Sequence, residues 1–225
     1  MSPIHARRLV SRVHYWAGWA LGLFALAWFA SGFFMSLKPI SEVRGEHIAA
    51  EPAYDLLAAD YSLPLVKDAT SVALVDVLGR PAFVVQGGDG RRVIDALSGE
   101  AMPAPGEDAI RAKVDDVLLV EATVARMVKL DEAPWEYSGP LPVWQVTLSD
   151  AENARLYIDA TTGRLVRVRT PHWRAFDIAW RVHILDPGGA KIGSWWLSVA
   201  SGLASLFALS GLALLWRPRR KTVAG

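Results

Sequence analysis

The sequence predicts an α+β fold class, with two transmembrane helices flanking a folded extramembrane domain. Three observations predict it. The runs Tyr15–Leu37 and Ile192–Trp216 contain no charged residue. Between them, short alternating apolar runs are separated by glycine-rich turns, the mark of antiparallel strands. One stretch, Glu107–Leu130, carries its apolar residues at helical spacing.

Each charge-free run exceeds the roughly 20 residues a helix needs to cross a ~30 Å hydrocarbon layer. In lipid every backbone N–H and C=O must be satisfied within the segment, so each run is expected to be helical. Trp16, Trp19, Trp195, Trp196 and Trp216 fall toward the ends of the runs, where indole rings favour the headgroup zone. The first run resembles a signal sequence, with Arg7-Arg8 ahead of it, but its apolar stretch is long for one. An uncleaved signal-anchor is the better reading. Arg7, Arg8 and Arg12 precede the first run, and Arg217, Arg219, Arg220 and Lys221 follow the second. The positive-inside rule then puts both termini in the cytoplasm and the middle outside, in the periplasm of a Gram-negative inner membrane. Gly18 and Gly22, with Ser198, Ser201, Gly202, Ser205 and Gly211, offer small-residue spacings through which the two runs can pack on each other.

The expected division is 1–14 tail, 15–37 first span, 38–171 outer domain, 172–191 amphipathic segment, 192–216 second span and 217–225 basic tail. Residues 38–70 read as loop-rich with a helix near Tyr54–Tyr61. Strands are expected at Ser71–Val77, Pro81–Gln86 and Arg91–Ala96, the last two joined through Gly87-Gly88-Asp89-Gly90, a strong hairpin signal. The helix over Glu107–Leu130 is followed by strands at Val143–Leu148, Arg155–Ile158 and Leu165–Arg169. Two segments match each other. Val93-Ile94-Asp95-Ala96-Leu97-Ser98-Gly99 and Tyr157-Ile158-Asp159-Ala160-Thr161-Thr162-Gly163 each follow a strand and a turn. The Asp and the Ser or Thr bond backbone N–H groups, and the Gly takes positive φ. The match predicts a duplicated unit, with repeats about 60–104 and 105–170.

Composition excludes several chemistries. The 225 residues include no cysteine, so disulfides, thiolate zinc sites, iron–sulfur clusters and cysteine nucleophiles are out. The net charge of +1 provides no field for nucleic acid. No serine sits in a nucleophile-elbow frame. Asp115-Asp116 and Asp131-Glu132 read as solvated charges. The Gly87–Gly90 run lies between two strands and is a hairpin, not a phosphate loop.

Tyr157–Arg164, and more loosely Val93–Glu100, resemble the ending of a PepSY module. Arg12-Val13-His14-Tyr15-Trp16-Ala17-Gly18 resembles the start of the first span of the PepSY-associated transmembrane family. Arg181-Val182-His183, Gly188-Gly189, Ile192-Gly193 and the Leu209-Ser210-Gly211 to Trp216-Arg217 exit resemble its later segment. Larger members of that family carry four spans and bind b-type haem through membrane histidines, and some reduce ferric siderophores at the inner membrane. With two spans, this chain looks like half of such a protein.

The resemblance implies His14 and His183 as candidate haem b ligands, neutral imidazole being the usual axial ligand. No catalytic residue and no other metal site is read from the residues. His5 and His47 read as solvated. A ~30 Å bilayer would separate His14 from His183, so they do not share one iron. His172 lies three helical turns from His183, too far as well. A complete site calls for a homodimer or another membrane subunit. Met35 could in principle face His183. The competing reading of both histidines is polar anchoring at the interface, or a hydrogen bond to backbone. His172–Ile184 is amphipathic and is expected as a helix on the outer membrane face. Two functions follow: a haem-binding or electron-transfer membrane subunit tied to iron and siderophore reduction, or a non-enzymatic PepSY module that binds a periplasmic partner protein.

Overall fold

The computed structural model of the chain describes residues 3–54, 61, 67–149, 152–185 and 193–215. It forms two compact units, Met1–Leu37 with Phe176–Gly225, and Lys38–Ala175. The expected helix near Tyr54–Tyr61 lies outside the described residues.

Helix α1 (Pro3–Ser36) begins ahead of the charge-free run and continues through it. Its stretch Ser11–Ser36 has 26 residues and a mean hydropathy of 1.5. At 1.5 Å per residue it is about 39 Å long, enough for the bilayer core. Only 6% of its apolar window is buried. Trp16 is 67% and Phe33 69% exposed. A helix of a soluble core would be covered; this one is apolar and bare, and lipid is the medium that fits it.

Helix α5 (Gly193–Leu215) belongs to the same unit, and its described apolar stretch is Ser198–Ala213. It runs antiparallel to α1: His14 meets Ser210, Gly18 meets Phe207, and Phe24 shares a groove with Val199. The expected small-residue contact is realised only in part. A Cβ on Gly18 would touch the Phe207 ring at 3.5 Å, but Gly22 and Gly202 face nothing within 4 Å. Ring-into-gap packing replaces a glycine seam.

The second unit holds α2 (Ile40–Val43), β1 (Ala69–Val77), β2 (Arg80–Gly87), β3 (Gly90–Asp95), α3 (Glu107–Val117), β4 (Thr123–Leu130), β5 (Val143–Ser149), β6 (Arg155–Asp159) and β7 (Leu165–Arg169). The strands form two antiparallel sheets, β1-β2-β3 and β4-β5-β6-β7. Two-residue turns close the first sheet. Leu78 and Gly79 both take positive φ, 53° and 82°, as a hairpin turn matched to strand twist requires. Gly87 pairs with Gly90 around Gly88-Asp89.

The helix expected over Glu107–Leu130 stops at Val117, and its second half is strand β4. Leu118 turns extended, with ψ 132°. The chain is then captured from the side: Ala50 N–H donates to Val117 O and Leu119 N–H to Ile48 O. Val124, Met127 and Val128 satisfy helical spacing, but β-branched Thr123, Val124 and Val128 also suit a pleated sheet, and pairing with β5 decides the conformation. The short helix α3 lays Ile110, Val114 and Val117 on Val146, Leu148, Leu156 and Ile158 of the sheet. Each of these buried helix side chains contributes roughly 2 kcal/mol.

The matched segments fold alike. Asp95 N–H donates to Glu100 O, as Asp159 N–H does to Arg164 O. Gly99 N–H and Gly163 N–H donate to Asp95 O and Asp159 O, while Ala96 and Ala160 donate to Pro81 O and Pro142 O. The Asp95 carboxylate accepts from Leu97 N–H and Ser98 N–H, and that of Asp159 from Thr161 N–H. The second of these turns touches the first sheet. Arg91 of β3 donates to the Asp159 carboxylate, and a Cβ on Gly163 would lie 2.7 Å from Leu78.

Helix α4 (Pro171–His183) matches the predicted amphipathic segment. Thr170 Oγ1 accepts from Trp173 N–H, and proline opens the first turn, where its missing N–H costs nothing. No residue of α4 is buried.

Candidate functional site

The described imidazoles of the first unit, His14 and His183, sit in matching notches. His14, near the start of α1, is hydrogen-bonded through Nδ1 to Ser210 Oγ at 2.6 Å. Its ring lies flat on Phe207, centroids 4.4 Å apart and planes 5° apart. Its Cε1 would be 3.1 Å from a Cβ on Gly211. His183, the last residue of α4, is hydrogen-bonded through Nδ1 to Ser31 Oγ at 3.2 Å and to Trp28 O at 3.1 Å. Its ring stacks on Trp28, 4.7 Å between centroids, and its Cε1 would be 3.1 Å from a Cβ on Gly32.

The two notches have one construction. An aromatic residue, a serine three positions on and a glycine after it occupy one helix face: Trp28, Ser31 and Gly32 on α1, Phe207, Ser210 and Gly211 on α5. Spacings of three and four place them together. Ring, hydroxyl and gap then receive a histidine from another helix. Each histidine ends an Arg-Val-His tripeptide, Arg12-Val13-His14 or Arg181-Val182-His183. Sequence reasoning identified both histidines but missed the serines, the stacking rings and the glycine gaps. The repeated Arg-Val-His and aromatic-x-x-Ser-Gly patterns were the signal available.

The structure does not bring the two histidines together. Along α1, His14 and Trp28 are fourteen residues apart, about 21 Å. The His183 ring sits a helical turn short of Met35, on Trp28 and Ser31. His172 belongs to the other unit, on the first turn of α4. His47 is exposed, and the His5 side chain lies outside the described residues. An apolar cleft of about 620 Å³ opens beside His14, lined by residues including Val13, Ala17, Leu203 and Leu206.

The second unit has its own buried polar centre. The Glu136 carboxylate is buried and accepts from Tyr157 OH at 2.6 Å, Arg155 Nη1 at 2.8 Å and Arg174 Nε at 2.6 Å. Gln145 Nε2 donates to Tyr157 OH, and Arg169 Nε donates to Glu136 O. Burial alone would raise the Glu136 carboxyl, but the bonds from Arg174, Tyr157 and Arg155 outweigh it and hold it at about 2. Burial, with the Glu136 bond, pushes Tyr157 up to about 12. Nearby, Arg169 stacks on Trp173 at 3.8 Å. A cleft of about 600 Å³ runs along β7 from Leu165 to Arg169, with Arg44, Glu46, Glu51 and Trp173 also on its walls.

A bare apolar helix of membrane-crossing length, joined to a folded α+β unit, points to a membrane protein. A family model described as the PepSY-associated TM region matches residues 11–224, and the chain belongs to that family. No curated protein and no solved structure matches it.

Proposed function

We propose that this chain is a haem-binding subunit of an inner-membrane electron-transfer system for iron or ferric-siderophore reduction. In this reading α1 and α5 both cross the bilayer, both termini are cytoplasmic, and Lys38–Ala175 is a tandem PepSY domain in the periplasm. Helix α4 then lies at the outer interface.

The observation that carries the reading is the pair of notches holding His14 and His183. Among the described residues neither Nε2 has a hydrogen-bond partner, so each ring has a nitrogen left for a ligand. The donor type fits haem b, and the apolar cleft beside His14 suits a macrocycle. Haem supplies one-electron chemistry when bound. The chain's part is to ligate through His14 and His183, to fix each ring by a serine and an aromatic face, and to keep water out with apolar neighbours. The helical separation of the histidines means two sites, not one. Another copy of the chain or another subunit would have to complete each site.

The test is a reduced-minus-oxidised absorption spectrum of the purified full-length protein. The expected result is a b-type α band, diminished in His14→Ala and in His183→Ala. A colourless protein from haem-replete cells would end the proposal.

The second reading is a non-enzymatic module that binds a periplasmic partner. The observation in its favour is the cleft along edge strand β7, with Arg44 and Arg167 at its surface. Arg44, Arg167 and Arg169 outnumber Glu46 and Glu51 on its walls, a balance that suits an acidic segment of a protein partner. Capture of such a partner by the wild-type protein, lost in Arg44→Glu/Arg167→Glu, would support it.

A further inference from the structure

We infer that Ser210 and Ser31 are positioning residues that fix the tautomer of the two imidazoles, so that each neutral ring carries its proton on Nδ1 and offers Nε2 as the ligating nitrogen. This rests on the haem-binding reading for its purpose, but not for its evidence.

The hydrogens at each notch can be counted. A serine hydroxyl has one hydrogen to donate and two lone pairs to accept with. Ser210 Oγ donates to Phe207 O at 2.7 Å, within its own helix. Ser31 Oγ donates in the same way to Trp28 O at 2.8 Å. With that hydrogen committed, each hydroxyl can only accept from the imidazole beside it. The hydrogen between His14 Nδ1 and Ser210 Oγ, 2.6 Å apart, therefore belongs to the histidine. Turning the hydroxyl toward the ring instead would leave two oxygens 2.7 Å apart with no hydrogen between them.

For His183 a second acceptor says the same. Its Nδ1 lies 3.1 Å from Trp28 O, and a carbonyl has nothing to donate. Both contacts to His183 Nδ1 require it to be the donor. In a neutral imidazole a proton on Nδ1 leaves the lone pair on Nε2. A single helix-borne device thus sets the same ligating atom at two places in the chain, and no carboxylate is needed to do it.

The two notches differ in one testable way. Replacing Ser210 by alanine removes the one acceptor at His14 Nδ1 among the described residues, whereas Ser31→Ala leaves His183 the Trp28 carbonyl. The measurement is nitrogen-15 NMR of the haem-free, full-length protein in nanodiscs, with selectively labelled histidine at a pH where the rings are neutral. His14→Gln and His183→Gln assign the signals. The wild type is expected to show Nδ1 protonated and Nε2 unprotonated for both residues. Ser210→Ala should lower the His14 tautomer ratio by roughly fivefold or more, the weight of one hydrogen bond. Ser210→Thr should restore it, and Ser31→Ala should move His183 less.

Nε2 protonation of the neutral rings in the wild type overturns the inference. So does an unchanged His14 pattern in Ser210→Ala, with Ser210→Thr as the folding control. A colourless protein with the expected tautomers would sink haem binding and leave this assignment standing.

Discussion

Glu136 shows how much one side chain carries here. Its carboxylate takes three charge-assisted or phenolic bonds inside the domain, from Arg155, Arg174 and Tyr157. Replacing it by glutamine keeps the shape but strands two guanidinium groups. The expected cost of Glu136→Gln is roughly 3 kcal/mol, the usual penalty for breaking a buried pair, read as a lower unfolding midpoint in thermal denaturation. At the notches, Gly211→Ala and Gly32→Ala would each put a Cβ 3.1 Å from an imidazole carbon. The ring or helix must then shift by a few tenths of an ångström. A loss of about 1 kcal/mol is expected for each, read as an earlier midpoint in detergent-induced unfolding. Sequence reasoning found His14 and His183 because the segments around them, Arg12–Gly18 and Arg181–His183, resemble the family's span-entry motifs, and only five histidines stand in the 225 residues. It found neither Glu136 nor the serines, because one glutamate among many and one serine in an apolar helix look ordinary until the fold supplies their partners.

At the scale of elements, strand β4 and the two matched turns teach different lessons. The turns were readable from sequence because their bonds are local: an Asp, a Ser or Thr and a Gly within a few residues close them. Gly163 adds a nonlocal demand. Its φ is +72°, and a Cβ would meet Leu78 Cδ2 at 2.7 Å. Gly163→Ala is expected to destabilise the domain by about 2 kcal/mol, combining overpacking with backbone strain, in denaturant melts of the full chain. At Gly99, with φ +73° but nothing within 4 Å, alanine should cost only the strain, so the difference between the two isolates the contact. Strand β4 was misread as helix because Val124, Met127 and Val128 fit both periods. Its identity comes from β5 and from residues 48–50, far away in sequence.

For the whole molecule, acid and base stability follow from the buried groups. Glu136 is held at about 2 against an ordinary 4.5. A carboxyl lowered by folding contributes stability above its unfolded value and loses it as the pH falls toward the folded one. About 3 kcal/mol should drain away between pH 4.5 and about 2, and Glu136→Gln should flatten that limb of the stability profile. Tyr137 and Tyr157 are pushed from 10.0 to about 12, each first by burial. Their protonated forms are favoured by folding, so stability is full below pH 10 and falls as the pH rises toward 12. Topology has an equally direct test, because the chain has no cysteine. Asp89→Cys, at the exposed hairpin tip, should react with a membrane-impermeant maleimide in intact spheroplasts, and Lys221→Cys should react only after lysis. The reverse pattern would invert the proposed orientation.

The sequence by itself determined the apolar helix of α1, the antiparallel strands around their glycine turns, and the family. Those features depend on residues close together in the chain, where hydropathy, charge and turn chemistry act directly. Only the tertiary structure decided where α3 ends, what burial does to Glu136, and which rings and hydroxyls hold His14 and His183. Those outcomes depend on groups from 19 to 196 residues apart, or on pairing between strands, and no local pattern fixes which distant atom will fill a hydrogen bond or a gap.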